Sequence, residues 1–357
     1  LPMLIAEELD ADWSKVKAEH SPASPPYAHT AFGFQITGGS TTTHSEFDRY
    51  RQVGAMARSL LIEAAAKKFG VRPEECRTES GTVICGDKKA GYGELAEAAA
   101  KLPTPEKVTL KGPKDWEIIG KDRKRLDSPE KVNGTAQFGI DVQLPGMLTA
   151  VVARPPVPGG KVKSYDATAA KAVPGVREVL EVPRGIAVLA DHFWAAKRGR
   201  DALEVEWDDG PHAGLDSTKL REEFRDLAKT DGATAAKAGD VAKALGQGAT
   251  VEAEYFLPYL AHCPMEPLNC TVKLTADKCE IWTGTQLQTV DQQNAARITG
   301  LQPTQVEIHT TFLGGGFGRR ATPTSDFISE AVEVAKASGK VVKVMWTRED
   351  DIHGGYY

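Results

Sequence analysis

Val306-Glu307-Ile308-His309-Thr310-Thr311-Phe312-Leu313-Gly314-Gly315-Gly316-Phe317-Gly318-Arg319-Arg320 decides the fold class. The alternation over 306–311 predicts a strand, and the apolar periodicity over 325–337 predicts a helix beyond it. Between them lie four glycines in five residues, which let the backbone turn sharply and come close to a ligand. Their amides can point at an anion, the helix beyond adds a favourable partial charge, and two arginines follow at once. A tight strand-to-helix turn with no ligand reads equally well from this element alone. The spacing is not that of a Walker loop, because no Gly-Lys-Ser/Thr follows, and it does not match the dinucleotide fingerprint.

Working outward, Thr283-Gly284-Thr285-Gln286 closes a strand predicted at 280–283 and precedes a helix predicted at 290–299. Gln286 could donate a hydrogen bond to an oxo or carbonyl oxygen, although a helix-start turn is the plainer reading. Further strands are predicted at 251–256, 270–274 and 341–346, with two charged helices inside 215–248. Residues 130–210 read as a small mixed domain. Its strands are 137–142, 148–153, 176–182, 186–189 and 203–207, and its helices are 166–172 and 193–202. Residues 103–127, rich in Pro, Lys and Asp and without periodicity, read as a linker. Upstream, 54–69 is an alanine-rich helix and 91–102 a shorter one. The opening residues 1–9 read as a helix already under way. The cluster Thr37-Gly38-Gly39-Ser40-Thr41-Thr42-Thr43 combines small residues with hydroxyls that suit a phosphate; a capped loop before the long helix is its plainer reading. The whole is α+β, or mixed α/β.

The chain has 357 residues, enough for two or three domains. A net charge of −5 argues against broad nucleic-acid binding. No apolar run is long enough for a membrane-spanning helix, and no secretory leader is visible. Neither end carries the usual stop signals, so the chain reads as a piece of a longer one or half of a split one. Five cysteines, an odd and sparse set, do not describe a disulfide scaffold. Cys263, Cys270 and Cys279 with His262 fit no zinc spacing and read as buried thiols on strands.

Several stretches are more characteristic. These are Asn133-Gly134-Thr135-Ala136-Gln137-Phe138-Gly139-Ile140-Asp141, Leu144-Pro145-Gly146-Met147-Leu148, Val173-Pro174-Gly175-Val176, Phe193-Trp194-Ala195-Ala196 and Val205-Glu206-Trp207-Asp208. Met265-Glu266-Pro267, Thr285-Gln286, Gly315-Gly316-Phe317-Gly318 and Trp346-Thr347-Arg348-Glu349-Asp350 follow in order. Together they resemble the molybdopterin-binding subunit of the xanthine oxidase and aldehyde oxidase family, over nearly the whole chain. Thr37-Gly38-Gly39-Ser40 with Thr42 and Thr43 stands ahead of the hammerhead stretch. That order is similar to the isoquinoline 1-oxidoreductase beta-subunit branch, which includes bacterial aldehyde dehydrogenases. The resemblance implies four segments. Residues 1–102 are a rearranged part of the cofactor-binding domain, 103–128 a linker, 129–210 an aldehyde oxidase-type hammerhead domain, and 211–357 the first part of the cofactor-binding domain.

The same resemblance implies oxidative hydroxylation of an aldehyde or N-heterocycle, with water as oxygen donor. Gln286, facing the apical oxygen of the molybdenum centre, and Phe317 are its catalytic residues. Gly315, Gly316, Phe317 and Gly318 line the cofactor's side of the pocket. Gly39, Ser40, Thr42 and Thr43 hold the pterin and its phosphates. The molybdenum cofactor, in the cytosine dinucleotide form, is held by its dithiolene, so no protein ligand to the metal is expected. Implied partners are a small iron–sulfur subunit, the remaining part of the large subunit and a cytochrome acceptor. A bacterial cytoplasmic or periplasmic location is implied, with the periplasm favoured. Ala321 stands where xanthine oxidase has a glutamate that orients purines, which argues against a purine substrate. The family's base glutamate and a second cofactor-contacting glutamine have no counterpart in these residues, so the chain alone is expected to be inactive. Two rival readings remain at this point: a binding or scaffold module whose glycine loops are only turns, and a nucleotide-dependent enzyme using 314–318 as a phosphate loop.

Overall fold

The alanine-rich run is the C-terminal part of a longer helix, Phe47–Phe69, which ends where Gly70 takes the left-handed conformation at φ 67° and returns its N–H to Ala66. Gly54 is needed within it: a Cβ there would lie 2.5 Å from the carbonyl oxygen of Ile5, on the helix Pro2–Leu9 that crosses at this point. The computed structural model describes residues 1–354. They form two units, Leu1–Pro145 with Pro264–Val341 and Gly146–Cys263 with Val342–Tyr357. Most of the stretch read as a hammerhead domain lies in the second unit, while 129–145 lies in the first.

In the first unit a three-stranded antiparallel sheet, Cys76–Glu79, Thr82–Cys85 and Lys88–Gly91, packs on the long helix. Leu61, Ala64, Ala65, Val83, Ala90, Leu95 and Ala99 form the shared core. Cys76 and Cys85 face each other in register across the first hairpin and are joined as a disulfide. The sparse, odd cysteine count gave no sign of this single bridge. The pairing depends on a hairpin that the polar strand Cys76–Glu79 does not announce. Cys270 and Cys279 are buried thiols on strands, as expected; Cys263 is exposed and on no strand.

The segment 103–127 is irregular, but it is not a free linker. Glu7 is buried and accepts from the backbone N–H groups of Glu117, Ile118 and Ile119 at 3.0, 2.6 and 2.9 Å, and from Lys111 Nζ at 3.0 Å. Glu8, equally buried, takes Arg51 at 2.7 Å and the backbone N–H of Lys111 at 3.0 Å. Two carboxylates on one helical turn thus bind an irregular strap by its amides.

Around the glycine loop, Asn269–Leu274 runs antiparallel to Cys279–Thr283, which is parallel to Val306–Thr310. The helices Gln288–Thr299 and Asp326–Ser338 pack together beside them. The strand expected at 137–142 is instead a 3₁₀ turn, Gly139–Asp141. The Asp141 carboxylate accepts from Phe138 N at 3.0 Å, and a Cβ on Gly139 would lie 2.5 Å from Asn269 Oδ1. Only a single bridge, Phe138 to Phe312, remains of ladder pairing there.

The second unit centres on Leu148–Ala153, which pairs antiparallel with Gly185–Ala190 and parallel with Val342–Met345; Val176–Val182 completes the sheet. The helix Phe193–Asp201 lies on it through Ala195, Ala196 and Gly199, where a Cβ would press to 2.8 Å on Val176 and Val188. Lys161–Asp166 and Glu204–Asp208 form a separate two-stranded ribbon. The strand expected at 251–256 is absent: the segment has no regular secondary structure, and no residue from 210 to 263 is buried.

Burial alone would raise the Glu7 carboxyl, but its backbone donors and Lys111 outweigh that and hold it below the ordinary value. A carboxyl held low in the folded state stabilises above its unfolded value, near 4.5, and that stabilisation is lost as pH falls through the folded value. Glu7→Gln is therefore expected to cost about 1–3 kcal/mol at neutral pH by urea unfolding. The difference from wild type should shrink as pH drops below about 4; a difference that stays constant down to pH 2 would show that the charge is immaterial.

Candidate cofactor site

Gln286 follows the buried strand end Thr283-Gly284-Thr285 and is held from two sides. Its backbone N–H donates to Arg320 O at 3.1 Å, and its carbonyl accepts from Thr37 N at 2.8 Å. Its side-chain Nε2 donates to Thr37 O at 2.8 Å, while Oε1 accepts from Gly318 N at 3.2 Å. One glutamine thus joins all three stretches singled out in the sequence. The second hydrogen on Nε2 has no partner among the described residues. Gly316 keeps space for this amide, since a Cβ there would lie 2.5 Å from Gln286 Oε1 and displace it.

The 314–318 loop is bent beyond what ordinary residues adopt. Gly315 and Gly318 have φ of 104° and 103°, and Phe317 between them has φ 53° with its ring 77% exposed. An aromatic residue in the left-handed region costs about 1–2 kcal/mol, and such strain concentrates at binding sites.

The arginines do not extend this loop toward an anion, contrary to the sequence reading. Both are fully buried. Arg319 makes a paired contact with Asp326 at 3.0 and 2.7 Å. Arg320 donates to Gly315 O and Gly284 O, both at 3.0 Å, to Glu266 O at 3.2 Å and to Glu266 Oε2 at 3.0 Å. The helix expected over 325–337 runs Asp326–Ser338, separated from the loop by turns at 317–320 and 323–324. Glu266 also accepts from Gly314 N at 2.8 Å, Ile140 N at 3.0 Å and Asn269 Nδ2 at 2.9 Å. Its structural role was missed, although an acidic residue before a buried strand and a double arginine after the loop were both visible signals.

The 37–43 stretch presents an exposed, polar surface. Gly39 and Ser40 are both left-handed, at φ 60° and 55°, ahead of the short helix Thr41–Ser45. Ser40 makes no side-chain cap, so the capped-loop reading is not realised. The hydroxyls of Ser40, Thr42 and Thr43 have no partner among the described residues. Free hydroxyls on a strained, small-residue turn, next to a glutamine with an unused N–H, fit a phosphate-bearing pterin.

Two groups nearby were given no role in the sequence reading. Thr285 Oγ1 donates to the buried carboxylate of Asp291 and accepts from Leu287 N at 2.9 Å, which shapes the turn that presents Gln286. Burial pushes the Asp291 carboxyl up to about 7, against the opposing hydrogen bonds from Ser325 and Thr285. Elsewhere in this unit Glu280, Glu307 and His309 approach one another, but Lys273 and Lys278 already pair with the carboxylates, which makes an ion-pair network the fitting description.

Residues 225–355 match the molybdopterin cofactor-binding domain family. Over 99% of its length the chain is 36% identical to the isoquinoline 1-oxidoreductase subunit beta of Brevundimonas diminuta, covering 51% of that protein. The chain belongs to the molybdopterin-binding subunits of the molybdenum hydroxylases. It is also 34% identical over 99% of its length to the membrane-bound aldehyde dehydrogenase [pyrroloquinoline-quinone] of Gluconacetobacter polyoxogenes, covering 47% of it. The chain therefore spans about half the length of these curated relatives. Quinoline 2-oxidoreductase from Pseudomonas putida 86 shares the fold over 65% of this chain and 35% of its own, with a TM-score of 0.52 and 20% identity.

For this molybdopterin-binding subunit, Asp291 generates a pH dependence of known sign. Below about 4 its carboxyl is protonated folded or unfolded. Between about 4 and 7 the unfolded chain ionises while the folded chain keeps its proton, so stability falls as pH rises, by at most about 4 kcal/mol. Asp291→Asn should remove this fall, becoming relatively more stable than wild type at pH 8 than at pH 4. Parallel stability curves for the two proteins across that window would refute the burial argument.

Proposed function

We propose that this chain supplies the cofactor-facing part of a molybdenum hydroxylase that oxidatively hydroxylates an aldehyde or an N-heterocycle, with water as oxygen donor. The observation that carries the reading is the convergence on Gln286 of the 37–43 stretch and the 314–318 loop, which are far apart in sequence. When bound, the molybdenum cofactor, in its cytosine dinucleotide form, supplies a two-electron redox centre. Gly39, Ser40, Thr42 and Thr43 would hold its pterin and phosphates with backbone amides and free hydroxyls. Gly315, Gly316 and Gly318 would let the loop approach it closely, and Phe317 would wall the substrate space beside it. Gln286 would turn its unused N–H toward the centre, its two other side-chain contacts, to Thr37 O and Gly318 N, fixing the amide beforehand, so that little reorganisation is needed as charge develops. A small iron–sulfur subunit would take the electrons onward, to a cytochrome acceptor. The relatives' names, isoquinoline and aldehyde among them, support both substrate classes equally.

Loss of one donor aimed at developing charge typically costs on the order of 10²–10³ in turnover; because charge develops only partly here, roughly tenfold to a hundredfold is expected for Gln286→Ala. Turnover should be normalised to bound molybdenum in the complete enzyme. Molybdenum content itself should hardly move, because the pterin is held elsewhere. An unchanged normalised rate would take Gln286 out of the active site.

We also place the protein in the periplasm. The Cys76–Cys85 bridge supports an oxidising compartment, since such bonds are rare where thiols are kept reduced. Thiol labelling of protein taken from its native compartment, followed by peptide mass spectrometry, should find Cys76 and Cys85 blocked to alkylation. Full labelling of both without reductant would argue for the cytoplasm.

A further inference from the structure

The turn that presents Gln286 contains a hydroxyl with two places to send its hydrogen. Thr285 is buried, and its Oγ1 accepts from Leu287 N at 2.9 Å. Its own hydrogen can go to the carboxylate of Asp291 or to the carbonyl oxygen of Arg320, 3.4 Å away. That same carbonyl accepts from Gln286 N at 3.1 Å. The oxygen that anchors the backbone of Gln286 is therefore within reach of a hydroxyl whose other partner titrates.

Asp291 is buried and has two hydroxyl partners, Thr285 and Ser325. Ionised, the carboxylate accepts from both. Protonated, it has to donate to one of them, and that hydroxyl must then find a new acceptor, because a buried O–H left unpaired costs about 1–3 kcal/mol. Ser325 Oγ accepts from Asn294 Nδ2 at 3.0 Å and has no second acceptor among the described residues. Thr285 has one, Arg320 O. The acidic hydrogen therefore belongs on the carboxyl oxygen that faces Thr285.

The surroundings put this exchange near neutrality. Burial, with the negative charge of Asp326 nearby, outweighs the two hydroxyl hydrogen bonds and moves the Asp291 carboxyl up to about 7. Asp326, at the start of the next helix, is held by Arg319 at 2.7 Å. On the strand Asn269–Leu274, burial and the Asp291 charge keep the Cys270 thiol well above its ordinary value, so it stays neutral. On the strand Val306–Thr310, Glu307 and His309 are taken up in the network with Lys278 and Glu280.

We infer that Asp291 is a positioning residue that sets, through the Thr285 hydroxyl, how firmly the backbone of Gln286 is held. With the carboxyl protonated, Asp291 donates to Thr285 and Thr285 donates to Arg320 O. The hydroxyl and the Gln286 amide then share one acceptor and close the turn. Loss of the carboxyl proton to water swings the Thr285 hydrogen back to the carboxylate, and Arg320 O is left with Gln286 N alone. The turn is tighter on the acid side of neutrality. The consequence for turnover rests on the role proposed for Gln286; the hydrogen-bond switch itself does not.

Asp291→Asn in the complete enzyme tests this, because its carboxamide donates at every pH as the protonated carboxyl does below neutrality. Exchange of the Gln286 backbone amide and turnover per molybdenum are each compared between variant and wild type at about pH 5.5 and about pH 8.5. Between those values the wild-type amide should come to exchange roughly two- to tenfold faster relative to the variant's, the worth of one hydrogen bond, and the variant's relative turnover should rise by a similar factor. Thr285→Val should abolish the pH-dependent difference between the Asp291 and Asn forms, whereas Thr285→Ser, which keeps the hydroxyl, should retain it. An exchange ratio that is the same at both pH values overturns the inference, as does a pH-dependent ratio that survives Thr285→Val. If Thr285→Val does not fold, loss of the difference in Thr285→Ser overturns it instead. The two claims fail separately. Exchange that switches with pH while Gln286→Ala keeps full turnover leaves the switch standing and removes Gln286 from the active site. An impaired Gln286→Ala enzyme with unswitched exchange does the reverse.

Discussion

The buried ion pair between Arg320 and Glu266 is the contact on which the site depends. Arg320 comes from the turn after the glycine loop, and Glu266 precedes the strand Asn269–Leu274. Arg320's donors also fasten Gly315 and Gly284, and Glu266's acceptors fasten Gly314, Ile140 and Asn269. A single buried pair thus ties the glycine loop, the strand end before Gln286 and the 3₁₀ turn Gly139–Asp141 into one body. Taking two charges out of water is costly, and removing one partner of such a pair leaves the other uncompensated, at about 3–5 kcal/mol. What repays the burial is the completeness of the hydrogen bonding around both groups. The loop can hold Gly315, Phe317 and Gly318 at positive φ because it is anchored this firmly behind.

Gln286 stands on that base. Its peptide group and side chain are both engaged, by Thr37 on one side and by Gly318 and Arg320 on the other. An amide restrained in this way has its orientation already decided, which is the condition under which a single donor would contribute most. Buried Asp291 supports the same turn from below through Thr285. The charged groups behind the loop are therefore buried and paired, whereas the hydroxyls of Ser40, Thr42 and Thr43 have no partner among the described residues.

A similar division runs through the rest of the molecule. Glu7 and Glu8 use buried carboxylates to bind an irregular strap by its backbone amides, so a segment without periodicity is nonetheless packed. Residues 210–263 do the opposite. They have the periodicity of helix and strand, and no core of their own. Periodicity reports which faces are apolar; it does not report whether the covering surface belongs to the same stretch of chain.

The order of strands and helices around 269–346, the glycine loop, the buried thiols at Cys270 and Cys279 and the family wording at Gln286 and 314–318 were all legible in the sequence, because each depends on local periodicity or on a glycine's conformational freedom. The direction of Arg319 and Arg320 was not. A guanidinium beside a glycine loop serves an anion equally well from outside or a carboxylate from inside, and only the position of Glu266 and Asp326 in space chooses between them. The Cys76–Cys85 bridge, the 3₁₀ turn at Gly139–Asp141 and the raised carboxyl of Asp291 likewise depend on what packs against them. Local sequence determined which backbone shapes were affordable; burial, which is a property of the assembled chain, decided which charges those shapes would have to satisfy.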